Sequence, residues 1–478
     1  MSGVSFLKYI PPHFKNSRFM SNFFQLFIDA FKGDEDRDYT SISINRAIFL
    51  LSVPMVIEMF FEATFALADA FFVARYVGTL GVAAVGLTES VITIIYSLAW
   101  GLTGAATAII SRRIGEKENK KAGVALANVI LISVVLGLIL ATLGAIYSAD
   151  ILRLMGGSED LVSQGEWYIK IQFLSAPFII LLFTLSGALR GAGSASLAMR
   201  PVILANILNI GLDFLLVAVF DMGIKGAALA TLIGRGFGVT YTLYILTDAQ
   251  SKLRLLWEDF IPKKAIIINI LKIGAGNAGQ FLIQSASWVF LVRILSIYGS
   301  EVIAGYTIAL RIIIFTILPS WGLANSGATL VGQNLGAGKP ERAKQSAWKI
   351  AFINMGFMTF IAIFFLLFAE PFIQFFDTTP QVVRTGTNCL KILAVGYIVF
   401  AIGMVITQAI NGAGDTKPGT IFNVIAFWIV QIPLAYYLAE TFGWKEIGVF
   451  YSIIVSDALL AIMAVIYFRS NRWQKKQV

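Results

Sequence analysis

Long uninterrupted apolar runs dominate this sequence and leave it few ways to fold. Ala47–Ala74, Ala122–Tyr147, Ala351–Ala369 and Ile447–Phe468 are examples. A helix needs roughly 20 apolar residues to cross a ~30 Å hydrocarbon core. Within the core every backbone N–H and C=O must be satisfied internally, so such runs read as membrane helices. The chain is 57% hydrophobic and only 14% charged, where soluble domains carry about 25% charged residues. No ten-residue stretch alternates strictly between apolar and polar, which argues against a β-barrel.

Twelve spans are expected, near residues 47–74, 86–111, 122–147, 166–189, 200–220, 225–247, 266–297, 303–333, 345–369, 388–411, 418–439 and 447–468. The connections alternate in charge. One set holds Arg112, Arg113, Lys117, Lys120, Lys121, Arg190, Arg200, Lys252, Arg254, Lys263, Lys264, Lys339, Arg342, Lys344 and Lys417, and Arg469 to Lys476 follow in the tail. The other set holds only Arg75, Arg153, Lys225, Arg384 and Lys445, mixed with acids. The positive-inside rule then puts both termini in the cytoplasm, consistent with an even number of spans. Met1 to Thr40 is mixed and charged and does not read as a cleavable leader, so the first span is expected to insert the chain. The net charge of +9 is accounted for by these loops, and no nucleic-acid partner is implied.

The two halves align at an offset of about 221 residues. Gly78 matches Gly299, Trp100-Gly101-Leu102 matches Trp321-Gly322-Leu323, Gly115 matches Gly336, Ala122 matches Ala343, and Gly191-Ala192-Gly193 matches Gly412-Ala413-Gly414. Internal repeats of this kind build transporters. The expected fold is an all-α polytopic membrane protein of twelve transmembrane helices in two pseudo-symmetric six-helix bundles. Its parts are a cytoplasmic segment (1–44), an N-lobe (45–247), a cytoplasmic linker (248–265), a C-lobe (266–468) and a cytoplasmic tail (469–478).

Acids inside a membrane are costly, about 2.5 to 3.5 kcal/mol for Asp at a helix centre, so each is a functional candidate. Glu58, Glu62, Phe65 and Asp69 fall at i, i+4, i+7 and i+11 of the first span and share one face. Such a face lines an interior. Glu58 and Glu62 either meet substrate or pair with Arg235 or Arg311. In the fifth span Asn209 and Asp213 are one turn apart, and Thr231 in the sixth adds a hydroxyl. Oxygen-only donors suit a hard cation such as Na⁺, or a proton. The seventh span carries Asn277, Gln280, Gln284 and Trp288 where the first carries acids; these are candidates for substrate contact or for gluing helices together. Glu89, Arg235, Arg293, Arg311 and Asp457 are further candidate buried charges. Aromatic side chains such as Phe60, Tyr96, Trp100 and Phe281 could receive flat cations.

Several chemistries are disfavoured. One cysteine, Cys389, and one histidine, His13, rule out a Cys/His zinc site and an intramolecular disulfide. Gly274–Gly279 has dinucleotide-binding spacing but lies in an apolar span, not between a strand and a helix. Gly338-Lys339 is flanked by Gln333 and Pro340 and makes no phosphate loop, so no ATP site is expected. No Gly-x-Ser-x-Gly or His-Glu-x-x-His motif occurs, which weakens a membrane-embedded lipid-modifying enzyme as the alternative.

The segments Asp69–Leu87, Gly101–Gly115, Gly191–Asp213 and Asn411–Pro418 resemble the multidrug and toxic compound extrusion (MATE) family, in particular its prokaryotic DNA-damage-inducible-like group. The most specific matches are Gly412–Pro418 and the Val77–Gly86 pattern after Asp69. The resemblance implies a secondary antiporter that exports small organic, often cationic, drug-like compounds in exchange for Na⁺ or H⁺. It implies a coupling site at Asp69, Asn209, Asp213 and Thr231, which would also hold Na⁺ in a sodium-coupled protein. No cofactor is implied beyond the ion. A substrate cavity is expected around Glu58, Glu62, Phe65, Gln280, Gln284 and Trp288. The chain is expected to work as a monomer in the plasma (inner) membrane. A lipid-linked oligosaccharide flippase of the wider superfamily is the second transport reading, and the acidic first-span face argues against it.

Overall fold

The structure is a computed structural model and describes residues 18–33, 37–77, 79–248 and 251–478, with the side chains of 18–24 and 79–83 left aside. His13 and Gly78, singled out above, lie outside the described residues. Among those residues there is no strand, and twelve helices are long and apolar enough to cross a membrane. They are α1 Ile44–Tyr76, α2 Ala84–Gly115, α3 Asn119–Ile146, α4 Glu159–Ala192, α5 Ala195–Val219 and α6 Gly223–Thr247. The second half gives α7 Lys264–Tyr298, α8 Ser300–Gly336, α9 Pro340–Gln374, α10 Pro380–Gly412, α11 Thr416–Thr441 and α12 Lys445–Arg469. Each carries apolar side chains on its outer face, such as Val135, Phe360, Leu367 and Ile466, which are exposed as lipid contact requires.

The repeat read from composition is written in the backbone. Left-handed residues recur at nearly the same offset: Lys117 with Gly338 and Gly193 with Gly414 at 221, Asp221 with Gly443 and Gly223 with Lys445 at 222. Helical irregularities recur as well. α5 becomes π-helical over Phe214–Val219, directly after Asp213, and α11 does so over Val424–Gln431 and again over Tyr437–Thr441. A π-turn widens the helix by one residue and is common at functional positions.

One apolar core lies among α2 to α6 and another among α7 to α12. A third joins the start of α1 (Ala47, Leu51, Met55) to α8, α9 and α10. Ile270 and Ile273 of α7 belong reciprocally to the core of the first half. α1 and α7 therefore begin against the opposite half and end with their own.

The halves meet closely toward the end that carries the basic loops. Small residues allow it: Gly115 abuts the backbone of Gln333, Gly336 that of Arg112, and Gly332 the side chain of Ser111. Rings fill the middle. Trp100 of α2 lies 4.9 Å from Phe281 of α7 and 6.2 Å from Trp321 of α8, centroid to centroid.

Chain segments outside the spans tie this end together. An amphipathic helix, Arg18–Lys32, rests against α1 and α5, and Arg200 donates to its last carbonyls, Phe31 (3.1 Å) and Lys32 (2.9 Å). Cations at a helix C-terminus satisfy its free carbonyls. The strap that follows, residues 37–43, accepts hydrogen bonds from the second half, Lys339 to Thr40 O (2.9 Å) and Arg342 to Tyr39 O (3.1 Å). In the opposite direction, Arg112 and Arg113 donate to the carbonyls of Lys476 (3.1 Å) and Val478 (2.7 Å).

Candidate functional site

The polar face of α1 looks into the first half, toward α4, α5 and α6. Its first two acids are neutralised there by arginines. Glu58 is fully buried and receives Arg190 at 2.5 Å. Glu62 is gripped by both terminal nitrogens of Arg235, at 2.5 and 3.1 Å, and takes a third bond from Asn206 Nδ2 at 3.0 Å. Planar guanidinium forks match carboxylates in this way. The Arg235 guanidinium also lies over the Phe65 ring, 4.7 Å from its centroid, and over Phe183 at 5.4 Å. Of the partners considered from sequence, Arg235 meets Glu62. Glu58 goes instead to Arg190, a residue whose position at the end of a span groups it with the loop cations in sequence. Its signal was present: Arg190 ends the apolar run Ile179–Leu189, with nothing polar before it but Thr184 and Ser186.

One turn beyond, the balance changes. Asp213 is fully buried on α5, and neither of its oxygens has a hydrogen-bond partner among the described residues. Asn209 Oδ1, on the same helical face, is buried and unpartnered too, while Asn209 Nδ2 points to the Thr231 hydroxyl of α6 at 3.4 Å. Asp69 of α1 is half-buried, has no hydrogen bond to a described residue, and lies within electrostatic reach of Asp213, Glu89 and Arg235. The structure thus brings Asp69, Asn209, Asp213 and Thr231 from three helices into one neighbourhood. Burying a carboxylate with no donor costs several kcal/mol. The free acceptors of Asp213 and Asn209 are of the chemistry that a hard cation or a proton satisfies.

The other expected residues are more dispersed. Gln280 and Asn411 exchange a pair of amide hydrogen bonds, each 3.1 Å, and Gln280 also donates to Thr416 O at 3.2 Å. These bonds clamp α7 to α10 and α11. Gln284 lines a small cavity in the second half, together with Gln280. Trp288 is exposed and is not part of that lining. Glu89, Arg293 and Arg311, expected to be buried, are exposed, and Glu89 and Arg311 interact across the two halves. Cys389 is buried in the second core.

Comparison with known proteins agrees with this architecture. The MatE family matches residues 54–215 and again 278–437, once in each half and over most of the chain. The chain is 26% identical over 443 residues to the probable multidrug resistance protein NorM of Thermotoga maritima, covering 91% of this chain and 94% of that protein. It is 26% identical over 435 residues to the multidrug export protein MepA of Staphylococcus haemolyticus, covering 90% and 95%. It superposes on an outward-facing multidrug resistance MATE family transporter of the MOP superfamily with a TM-score of 0.86, at 25% identity, over 91% of this chain and 97% of that one. With twelve spans in two related halves and the family pattern repeated in each, the chain belongs to the MatE, or multidrug and toxic compound extrusion, family.

Proposed function

We propose that this protein is a secondary antiporter that exports small organic compounds, cationic ones among them, in exchange for Na⁺ or H⁺. The observation that carries the reading is the buried Asp213 carboxylate, unpartnered beside the free Asn209 oxygen and within reach of Asp69. A proton on Asp213 or Asp69, or Na⁺ held by Asp69, Asn209, Asp213 and Thr231, would cancel the negative charge of the first half. A bound organic cation would then be held less tightly and released outward. An ion shifts the balance of two conformations only through its different affinity for each. A site open to water in one arrangement and sealed in the other supplies that difference.

On this reading Glu58 and Glu62 shape the cavity through their arginine pairs, while Phe65, Gln284 and Trp288 offer apolar and amide surface to cargo. The bias of the basic loops supports a cytoplasmic location for both termini and the strapped end, in the plasma (inner) membrane. The close packing of the halves at the strapped end supports an outward-facing arrangement. The four-residue coupling pattern supports the DNA-damage-inducible-like group. A single chain contains the whole pathway, so a monomer suffices, with neither ATP nor an enzymatic activity required. The acidic interior of the first half does not favour a pyrophosphate-bearing lipid, which speaks against a flippase.

The test is efflux of a fluorescent organic cation from proteoliposomes with the Na⁺ and proton gradients imposed separately. One gradient is expected to drive uphill transport and the other to do nothing. Transport under neither would reject the proposal.

A further inference from the structure

The second half holds a largely apolar cavity with a few polar groups, which the coupling site leaves unused. Its wall combines the rings of Phe281, Trp321 and Phe427 with the amides of Gln284 and Gln408 and a single carboxylate, Asp457 of α12. Asp457 makes no hydrogen bond or ion pair with a described residue, and the Thr407 hydroxyl on the same wall is buried and unpartnered. Gln280 is already committed to Asn411. A lone carboxylate inside the membrane-spanning region is costly and is retained where it meets a charge. The space is narrow, about 70 Å³, which admits an ammonium-sized group but no ring system. Phe281 and Trp321 lie 5.1 Å apart, and both approach Trp100 of the first half, so the cavity adjoins the ring cluster between the halves.

We infer that Asp457 anchors the slim cationic head, a primary ammonium or a group of that size, of an aromatic substrate whose rings lie on Trp100, Phe281 and Trp321. Coulomb attraction holds the head, and the ring faces hold the body by stacking and by cation–π attraction. Asp457 is thus a specificity residue that selects cations with narrow heads over neutral molecules and over bulky quaternary cations. The inference rests on the export reading and deepens it.

The test uses three probes with one ring system: 2-naphthylmethylammonium, its trimethylammonium analogue, and 2-naphthylmethanol. Their affinities for the purified protein are measured by equilibrium dialysis. The wild type is expected to bind the primary ammonium at least about ten-fold more tightly than the alcohol, and the trimethyl analogue more weakly than the primary ammonium. Asp457→Asn is expected to bring ammonium and alcohol within about three-fold of each other. Gln284→Glu, which adds a second carboxylate to the wall, is expected to widen the preference. An unchanged preference in Asp457→Asn, no response to Gln284→Glu, or no binding of the ammonium by the wild type overturns the assignment. Efflux of ethidium by the wild type, followed in parallel, shows whether export itself stands when the assignment fails.

Discussion

Arg235 of α6 and Asp213 of α5 face opposite electrostatic situations in the interior of the first half. The arginine is enclosed by an acid, an amide and two rings. Neither oxygen of Asp213 has a hydrogen-bond partner among the described residues. Removing Arg235 would leave the largely buried Glu62 charge with only the Asn206 amide against it, so Arg235→Met is expected to destabilise the protein by about 3 kcal/mol or more. Adding Glu62→Gln to that variant should recover most of the loss. Thermal unfolding in detergent checks both, and additive losses would show that the pair is not coupled. Asp213→Asn should behave the other way, leaving stability equal or raised, since it exchanges a desolvated charge for a neutral amide. The same comparison shows what sequence could reveal. Spacing alone placed Glu58, Glu62, Phe65 and Asp69 on one face and Asn209 above Asp213. It could not tell which acids were already neutralised. That depends on Arg190 and Arg235 arriving from 132 and 173 positions away, a matter of tertiary packing.

At the scale of elements, hydropathy located all twelve spans, because the membrane imposes a length and a composition that no loop imitates. Their ends were less legible. α8 and α9 extend to Ser300–Gly336 and Pro340–Gln374, past the apolar cores at 303–333 and 345–369, since the final turns are polar yet still helical. The amphipathic helix Arg18–Lys32 also escaped notice. Its apolar residues, Phe19, Phe23, Leu26 and Ala30, recur at three- and four-residue spacing, but the segment is too short and mixed for a search tuned to membrane spans. The glycines of α2 and α8 carry a sharper consequence. A methyl group on Gly115 would meet the main chain of Gln333, which cannot rotate aside. Gly115→Ala is therefore expected to wedge α2 from α8. Spin labels at Lys120→Cys and Glu341→Cys, in a Cys389→Ser background, should report a longer mean separation by pulsed electron resonance. An unchanged distance would mean that the contact is not a fixed fulcrum.

As a whole molecule, the protein is two halves held at one end and touching through rings in the middle. α1 and α7 start in one half and finish in the other, so a tilt of the halves must bend or slide these two helices. Pro54 interrupts the hydrogen-bond ladder of α1 four residues before Glu58 and provides a place for such bending. The ties of the strap and the tail, Arg342 to Tyr39 and Arg113 to Val478, have to break when the closed end opens. Arg113→Ala with Arg342→Ala should broaden the same label distance toward longer values, and an unaltered distribution would remove these ties from the mechanism. What such tilting accomplishes depends on Asp213 trading its bare charge for an ion. The most direct measurement is accumulation of an organic cation against its gradient in proteoliposomes, wild type beside Asp213→Asn, under whichever ion gradient drives the wild type. The account predicts that the variant loses uphill accumulation, by about ten-fold or more in initial rate, while remaining folded. Accumulation by Asp213→Asn at the wild-type rate and to the wild-type level would contradict it.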